Sequence, residues 1–411
     1  MRPRVVAIRL CLAAALTLGV AGCGGDDDDP GKSFVGTTLT IYSSLPLQGP
    51  HAEESQSIIA GEKLALAEVG GRVGEFTVKY ASLDDSTADS KGWDARQSAR
   101  NARTAAQDRT TIAYLGDFDA GATAITLPTL NEAGILQISP ATTLVGLTQA
   151  EGADKGEPDK YYPTGKRTFG RVIQADNVQV GAQIQLQKQQ GCKRTYVLHD
   201  SAAYGKSLTD LLTLLGPKAG LLVSGDEGID PEADDYEAQV RELAESGADC
   251  FFLGGMDEAA ATRLFTQIHT ALPAVKLFAP NGLATETFAA GLPQGVAKVT
   301  FLTNPRLAAR RYGLAGRRFL RSYRKAYGRD AGTYGMYGYE AMRLALHAVA
   351  EAGEDGNQKE AVIDAFFAVR NRVSPLGDYS IGEDGDTSLG GYGSYRVAGG
   401  KLVFERVIAP T

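Results

Sequence analysis

Residues 112–143 read IAYLGDFDAGATAITLPTLNEAGILQISPATT, and the order of apolar and small residues in this stretch decides the fold. Ile112–Leu115 is a short apolar run closed by Gly116, and Ile135–Ile138 is another, entered through Gly134 after a helix-compatible segment. Strand, helix, strand predicts a right-handed parallel crossover. In open α/β sheets, ligands bind beyond the carboxyl ends of the strands, where the N–H groups that open the next helix lack acceptors. Both ends here carry small or hydroxylic residues: Ala120, Gly121, Ala122 and Thr123 after the first, Ser139, Ala141, Thr142 and Thr143 after the second. They read either as a cradle for a carboxylate or amide oxygen, or as ordinary turn closure and helix capping. Pro128 falls inside the intervening helix and is expected to kink it or delay its start.

The same alternation continues on both sides. Upstream, Leu39–Tyr42 and Phe76–Ala81 are strand-like, with helical segments marked by Ile58, Gly61, Ala65 and Val69 and by Trp93–Gln107. Four βα units in a row predict one doubly wound lobe. After a polar loop at Gly152–Lys166 and a run at Thr168–Ile173, a second series begins. Its strands are expected at Thr195–Leu198, Leu221–Val223, Phe251–Leu253, Val275–Phe278 and Ala297–Leu302, with helices at Val178–Gln189, Gly205–Leu215, Tyr236–Ser246 and Asp257–Ala271. The segments Ala309–Tyr327, Tyr334–Ala352 and Lys359–Val369 are helical without strands of their own, so they must cover an existing sheet. The chain is therefore expected to return to the first lobe near Asn304, and to end in β-like runs at Gly393–Val397 and Leu402–Val407. The expected division is 38–172 and 305–375 for the first lobe, 173–304 for the second, and 376–411 for a final crossing and the C-terminal strands.

At the other end, Arg2, Arg4 and Arg9 precede an apolar segment, Leu10–Val20, too short to span a membrane, and then Val20-Ala21-Gly22-Cys23. This pattern predicts an export signal over residues 1–22, and it resembles a bacterial lipobox, which implies cleavage before Cys23 and a lipid on its thiol. The run that follows, GGDDDDPGK, cannot bury anything and is expected to be part of a solvated tether over residues 23–37, not a metal site at Asp26–Asp29. Removing the signal takes away three arginines and no acid, so the formal charge of −7 becomes more negative, which excludes nucleic acid as an electrostatic partner. Of the four cysteines, Cys192 and Cys250 remain after Cys11 and Cys23 are assigned. Each starts an apolar run, and they are either a disulfide between neighbouring strands or two half-buried thiols.

Catalytic signatures fail. Gly205-Lys206-Ser207 resembles the end of a phosphate loop, but Asp200 stands where that loop needs its first glycine. His51, His199, His269 and His347 have no ligand spacing, and there is no Gly-x-Ser-x-Gly elbow. Asp84 and Asp85 read either as an acid/base pair, which adjacent residues pointing to opposite faces of a strand disfavour, or as helix capping, and Gly382–Asp386 reads as a turn.

The extended order of features resembles the type I periplasmic binding proteins, in the leucine/isoleucine/valine-binding branch that serves ABC importers and includes amide and urea binders. The matching stretches include Leu47-Gln48-Gly49-Pro50, Tyr80–Asp85, Gly116–Thr123, Ala133–Thr143, His199–Gly205, Gly254-Gly255, Pro280-Asn281-Gly282, Tyr337–Ala341 and Ser374–Gly377. The resemblance implies an α/β fold of two doubly wound, Rossmann-like lobes joined by about three hinge crossings, with a ligand cleft between them. It implies that a ligand carboxylate rests on Ala120–Thr123 and on the residues Ala141 to Thr143. Tyr204 matches an aromatic that closes over the ligand, Met256 stands in place of a second tyrosine, and Asn281 stands in place of the glutamate that holds a ligand ammonium. Asparagine offers no charge-assisted bond, roughly twice as strong as a neutral one, so an amide or a urea-like compound rivals a free amino acid as the solute. Glu54, Asp117 and Asp119 are either partners for a cationic group or solvated loop carboxylates. Tyr334, Tyr337 and Tyr339 read as helix-packing aromatics.

The expected protein is exported, on the outer face of the cytoplasmic membrane or in the periplasm, and monomeric. Its partners are a small polar solute and an ABC permease, its only membrane contact is the N-terminal lipid, and it has no cofactor and no enzymatic activity. The alternative is a sensor component presenting its ligand to a membrane receptor.

Overall fold

The computed structural model describes residues 36–90 and 92–409. The segment expected as an export signal, Cys23 and Asp26–Asp29 lie outside them. The first sheet is built from β1 (Thr38–Leu45), α1 (Ala52–Glu68), β2 (Arg72–Val73), β3 (Phe76–Asp84), α2 (Ala95–Gln107), β4 (Thr111–Gly116), α3 (Ala120–Glu132), β5 (Leu136–Ser139) and β6 (Phe169–Arg171). Its order is β2-β3-β1-β4-β5-β6, parallel except for the β2–β3 hairpin. The crossover at 112–143 is as expected, save that α3 begins at Ala120 and runs through Pro128. A proline in the third turn removes one N–H bond inside the helix and leaves its start untouched.

The second sheet follows from α4 (Asp176–Gln189), β7 (Arg194–His199), α5 (Ala203–Leu215), β8 (Leu222–Gly228), α6 (Glu237–Ser246), β9 (Cys250–Leu253), α7 (Glu258–Ala271), β10 (Lys276–Ala279), α8 (Glu286–Gly291), α9 (Gln294–Val299) and β11 (Thr300–Asn304). Residues Ala297–Val299, expected in a strand, complete α9. β8 extends to Gly228 through polar residues because it is an edge strand with one side free.

Three helices come next, α10 (Leu314–Tyr327), α11 (Gly335–Glu351) and α12 (Lys359–Phe367), then the hairpin β12 (Arg372–Ser374) and β13 (Gly377–Tyr379), and finally β14 (Tyr392–Ala398) and β15 (Lys401–Ile408). The helices cover the first sheet: Phe319, Tyr323, Met342, Val362 and Phe366 share one core with Ile41, Ile112 and Leu136. β14 joins β11 antiparallel, giving the second sheet the order β15-β14-β11-β10-β9-β7-β8. The chain thus passes between the sheets along residues 172–175, 305–313 and 382–391.

Two devices hold this frame. α1 and α11 cross backbone to backbone: a Cβ on Gly61 would stand 2.1 Å from the Gly335 carbonyl oxygen, and one on Gly338 2.5 Å from that of Ile58. Arg171 at the end of β6 is fully buried, and its Nε lies 2.6 Å from Asp386 in the last crossing. Asp386 also accepts from Gln149 Nε2 at 2.6 Å and Thr148 Oγ1 at 3.1 Å, so Gly382–Asp386 is a turn that carries a buried ion pair. Cys192 and Cys250 are disulfide-bonded, with Cα atoms 5.9 Å apart, fastening the approach to β7 onto β9.

Candidate functional site: the interlobe cleft

The first lobe contributes the start of α3. β4 ends at Gly116, whose φ of +144° and a distance of 2.7 Å from a would-be Cβ to the Ser44 carbonyl oxygen admit only glycine. Asp119 occupies the N-cap of α3 without capping it. One carboxylate oxygen lies 3.9 Å from His51 Nε2, and the other has no partner. The N–H groups of Ala120, Gly121 and Ala122 meet no acceptor among the described residues. The Trp93 ring lies against Gly121, 2.4 Å from where a Cβ would sit.

This jaw is acidic, and Asp85 and Asp117 in it are buried. Asp117 is fully buried and accepts from Thr126, from Tyr114 Oη at 3.2 Å and from Gln137 Nε2 at 3.3 Å. Burial outweighs those bonds and pushes its carboxyl up to about 7. Both oxygens of the buried Asp85 are unpaired, and burial, then the charges of Asp117 and Asp119, push it up to about 9. Asp119 is raised by burial too, opposed by His51.

At the end of β5, Ser139 Oγ donates to the Asp117 carbonyl at 2.7 Å and accepts from the N–H groups of Ala141 at 3.2 Å and Thr142 at 2.9 Å. Those two donors are therefore already used, while Thr142 Oγ1 is buried and unpaired. The Thr143 carbonyl accepts from Asp176 N at 2.8 Å. Asp176, at the start of α4, accepts from Ser207 Oγ at 3.2 Å. Burial pushes its carboxyl up to about 6, against the hydroxyl of Thr143 and the charge of Arg171.

The second lobe contributes neutral groups. Tyr204, in the first turn of α5, rests between two glycines: a Cβ at Gly255 or Gly282 would stand 3.3 or 3.1 Å from its ring. Its hydroxyl donates to Asn281 Oδ1 and accepts from Gln179 Nε2 and Gly282 N, each at 3.4 Å. Asn281 N donates to Gln179 Oε1 at 2.8 Å, and Asn281 Nδ2 donates to Tyr334 Oη at 2.9 Å. Tyr334 belongs to the first lobe. Its ring meets Phe118 edge-on at 5.2 Å, and Phe118 stacks on His51 at 4.7 Å. A continuous line thus runs from Tyr204 through Asn281, Tyr334, Phe118 and His51 to Asp119.

Several expected residues fall elsewhere. Glu54 is neither in a loop nor free for a cation: from α1 its carboxylate accepts from Thr333 N at 3.1 Å and Tyr334 N at 3.2 Å, capping the approach to α11. Met256 is packed in the core of the second lobe. Tyr337 and Tyr339 are packing residues, but Tyr334 reaches across the cleft. Asp84 does not cap a helix; it accepts from Leu47 N at 3.0 Å and Ser86 N at 2.9 Å, and α2 is capped by Asp94. Sequence reasoning missed Gln179, His51, Phe118 and Asp176. Gln179, Gln183 and Gln187 are all buried on one face of α4, and that four-residue polar spacing was the available signal.

The site offers hydrogen-bond donors, acceptors and aromatic faces from both lobes. Among the described residues no group of His, Cys, Asp and Glu is arranged to hold a metal ion, and no helix is long and apolar enough to cross a membrane. The profile of the family described as periplasmic binding protein matches residues 38–398. Leu/Ile/Val-binding protein homolog 1 of Brucella abortus is 27% identical over 365 residues, covering 87% of this chain and 90% of the relative. An amino acid binding protein of Pseudomonas aeruginosa is 25% identical over 330 residues, covering 79% and 81%. Among solved structures, the leucine-binding protein LivK of Thermotoga maritima superposes with a TM-score of 0.76 at 19% identity, covering 90% of this chain and 99% of that one. An ABC transporter solute-binding protein of R. palustris in complex with benzoate gives 0.73 at 18% identity, covering 91% and 97%. These proteins bind small solutes and work with ABC transporter permeases; they are not enzymes. The chain belongs to the periplasmic binding protein family.

Proposed function

We propose that this chain is the extracytoplasmic, lipid-anchored receptor of an ABC importer and that it takes a small amide or urea-like solute, or an amino acid, between its lobes. The observation that carries this reading is the line from Tyr204 to Asp119, which links the lobes beside three unpaired N–H groups. The N–H groups of Ala120–Ala122 suit a carbonyl oxygen. Asp119, at the N-cap beside them, opposes a full negative charge and has an unpaired oxygen to accept from an N–H donor instead, while Asp85, which burial keeps protonated at neutral pH, adds no charge. An amide or urea presents a carbonyl and N–H groups together. Asn281 lacks the charge that would fix a free α-ammonium. Closure is favoured to the extent that the solute touches both lobes.

Mass spectrometry of small molecules released by denaturing the freshly purified protein identifies the solute, and calorimetry with amides, ureas and amino acids ranks the classes. Tighter binding of amides or ureas is expected; no binding in any of the three series would reject the reading. Thr143→Ala combined with Tyr204→Ala is expected to abolish ligand-induced thermal stabilisation, worth about 2.7 kcal/mol at a hundredfold excess over Kd, with the fold intact.

A further inference from the structure

We propose that the face formed by α10 and the β12–β13 hairpin docks on an anionic lipid bilayer, a second membrane contact separate from any N-terminal anchor. In a chain with net charge −7, residues 306–329 carry nine arginines and lysines and no acid. The first acid after them, Asp330, is taken by Arg324, whose Nε lies 2.6 Å from it. Arg310, Arg311, Arg318 and Arg321 are exposed, and no carboxylate among the described residues pairs with them. Such a concentration of like charge repels itself unless an anionic surface meets it.

The helix is two-faced. Phe319 and Tyr323 enter the first core, while Leu314, Arg318, Arg321 and Lys325 follow the four- and three-residue spacing of a single outer stripe. Leu314 opens that stripe at 79% exposure, and Val373 on β12 lies across the groove from it at 72%. Arg343 completes the groove and stays within 3.3 Å of the Tyr339 hydroxyl. Two bare aliphatic side chains ringed by unpaired guanidinium groups match a bilayer surface: the arginines meet headgroup phosphates, and Leu314 and Val373 enter the acyl boundary. A soluble acidic protein would answer the charge but leave those apolar groups without a reason to be exposed.

Hydrogen–deuterium exchange of the peptide spanning 305–316 tests this on the full chain with vesicles of pure phosphatidylcholine and of phosphatidylcholine with phosphatidylglycerol. Exchange in the loop before α10 is expected to slow about tenfold or more only with the anionic lipid, and to recover at high salt. Arg318→Glu with Arg321→Glu, both on the exposed face, is expected to weaken the contact on the order of a hundredfold while leaving solute binding unchanged. Equal exchange in both vesicles, slowing that survives the double charge reversal, or slowing that requires an added protein partner would each overturn the proposal.

Discussion

The two jaws of the cleft are built from opposite chemistry. The first presents carboxylates that burial holds near or above neutrality, Asp117 at about 7 and Asp85 at about 9, beside unpaired N–H groups at the start of α3. The second presents Tyr204, Gln179 and Asn281, neutral groups already bonded to one another. The difference teaches that the first jaw holds unspent hydrogen-bonding capacity, while the second supplies shape and a latch. On the proposed reading, lobe one recognises the solute and lobe two encloses it.

The largest effect tests whether the jaws hang from a rigid frame. Asp386→Ala leaves Arg171 buried and unpaired, and is expected to cost about 3–5 kcal/mol in denaturant unfolding. A much smaller loss would mean that the last crossing is slack and the jaws are not held in register.

Next comes the acidic jaw. Asp85 titrates near its ordinary value of 3.8 when unfolded and at about 9 when folded. Between those values the folded state binds more protons, so stability contributed by this group is full below about pH 4 and is lost as pH rises through about 9. Asp85→Asn removes that dependence. The variant is expected to be more stable than the parent by a few kcal/mol at neutral pH, with the gap widening to about pH 9, as read from unfolding curves across pH. A pH-independent gap would show that Asp85 is not held protonated, and the contrast between jaws would shrink.

The latch is expected to matter less to the fold. Asn281→Ala removes two side-chain bonds and should cost about 1–2 kcal/mol in stability. It should also accelerate solute release in stopped-flow experiments, because Tyr204 and Tyr334 are no longer joined across the cleft. An unchanged off-rate would assign closure to other contacts.

Much of the frame was legible from local pattern. The apolar runs at Ile112–Leu115 and Phe251–Leu253 became fully buried strands, and the helices after Asn304 covered the first sheet as helices without strands must. Patterns failed where tertiary partners decide. Glu54 looked like a loop carboxylate because nothing local reveals that the chain around Thr333, distant in sequence, brings two N–H groups to it. Arg171 is fully buried because Asp386 arrives from the far end of the chain. Nothing local marks the glutamines of α4 as interior, yet Gln183 is buried and bonded to the Ala279 carbonyl and Thr303. At the site, the small residues after β4 and β5 were visible. That Ser139 uses up the N–H groups of Ala141 and Thr142, and leaves those of α3 free, was not.

The most direct test titrates the solute recovered from the denatured protein into the parent and into two single variants, Thr143→Ala from the first lobe and Tyr204→Ala from the second, by calorimetry. Affinity is predicted to fall in both variants, because the solute is held from both sides. Full affinity retained in either one would contradict a grip shared between the lobes.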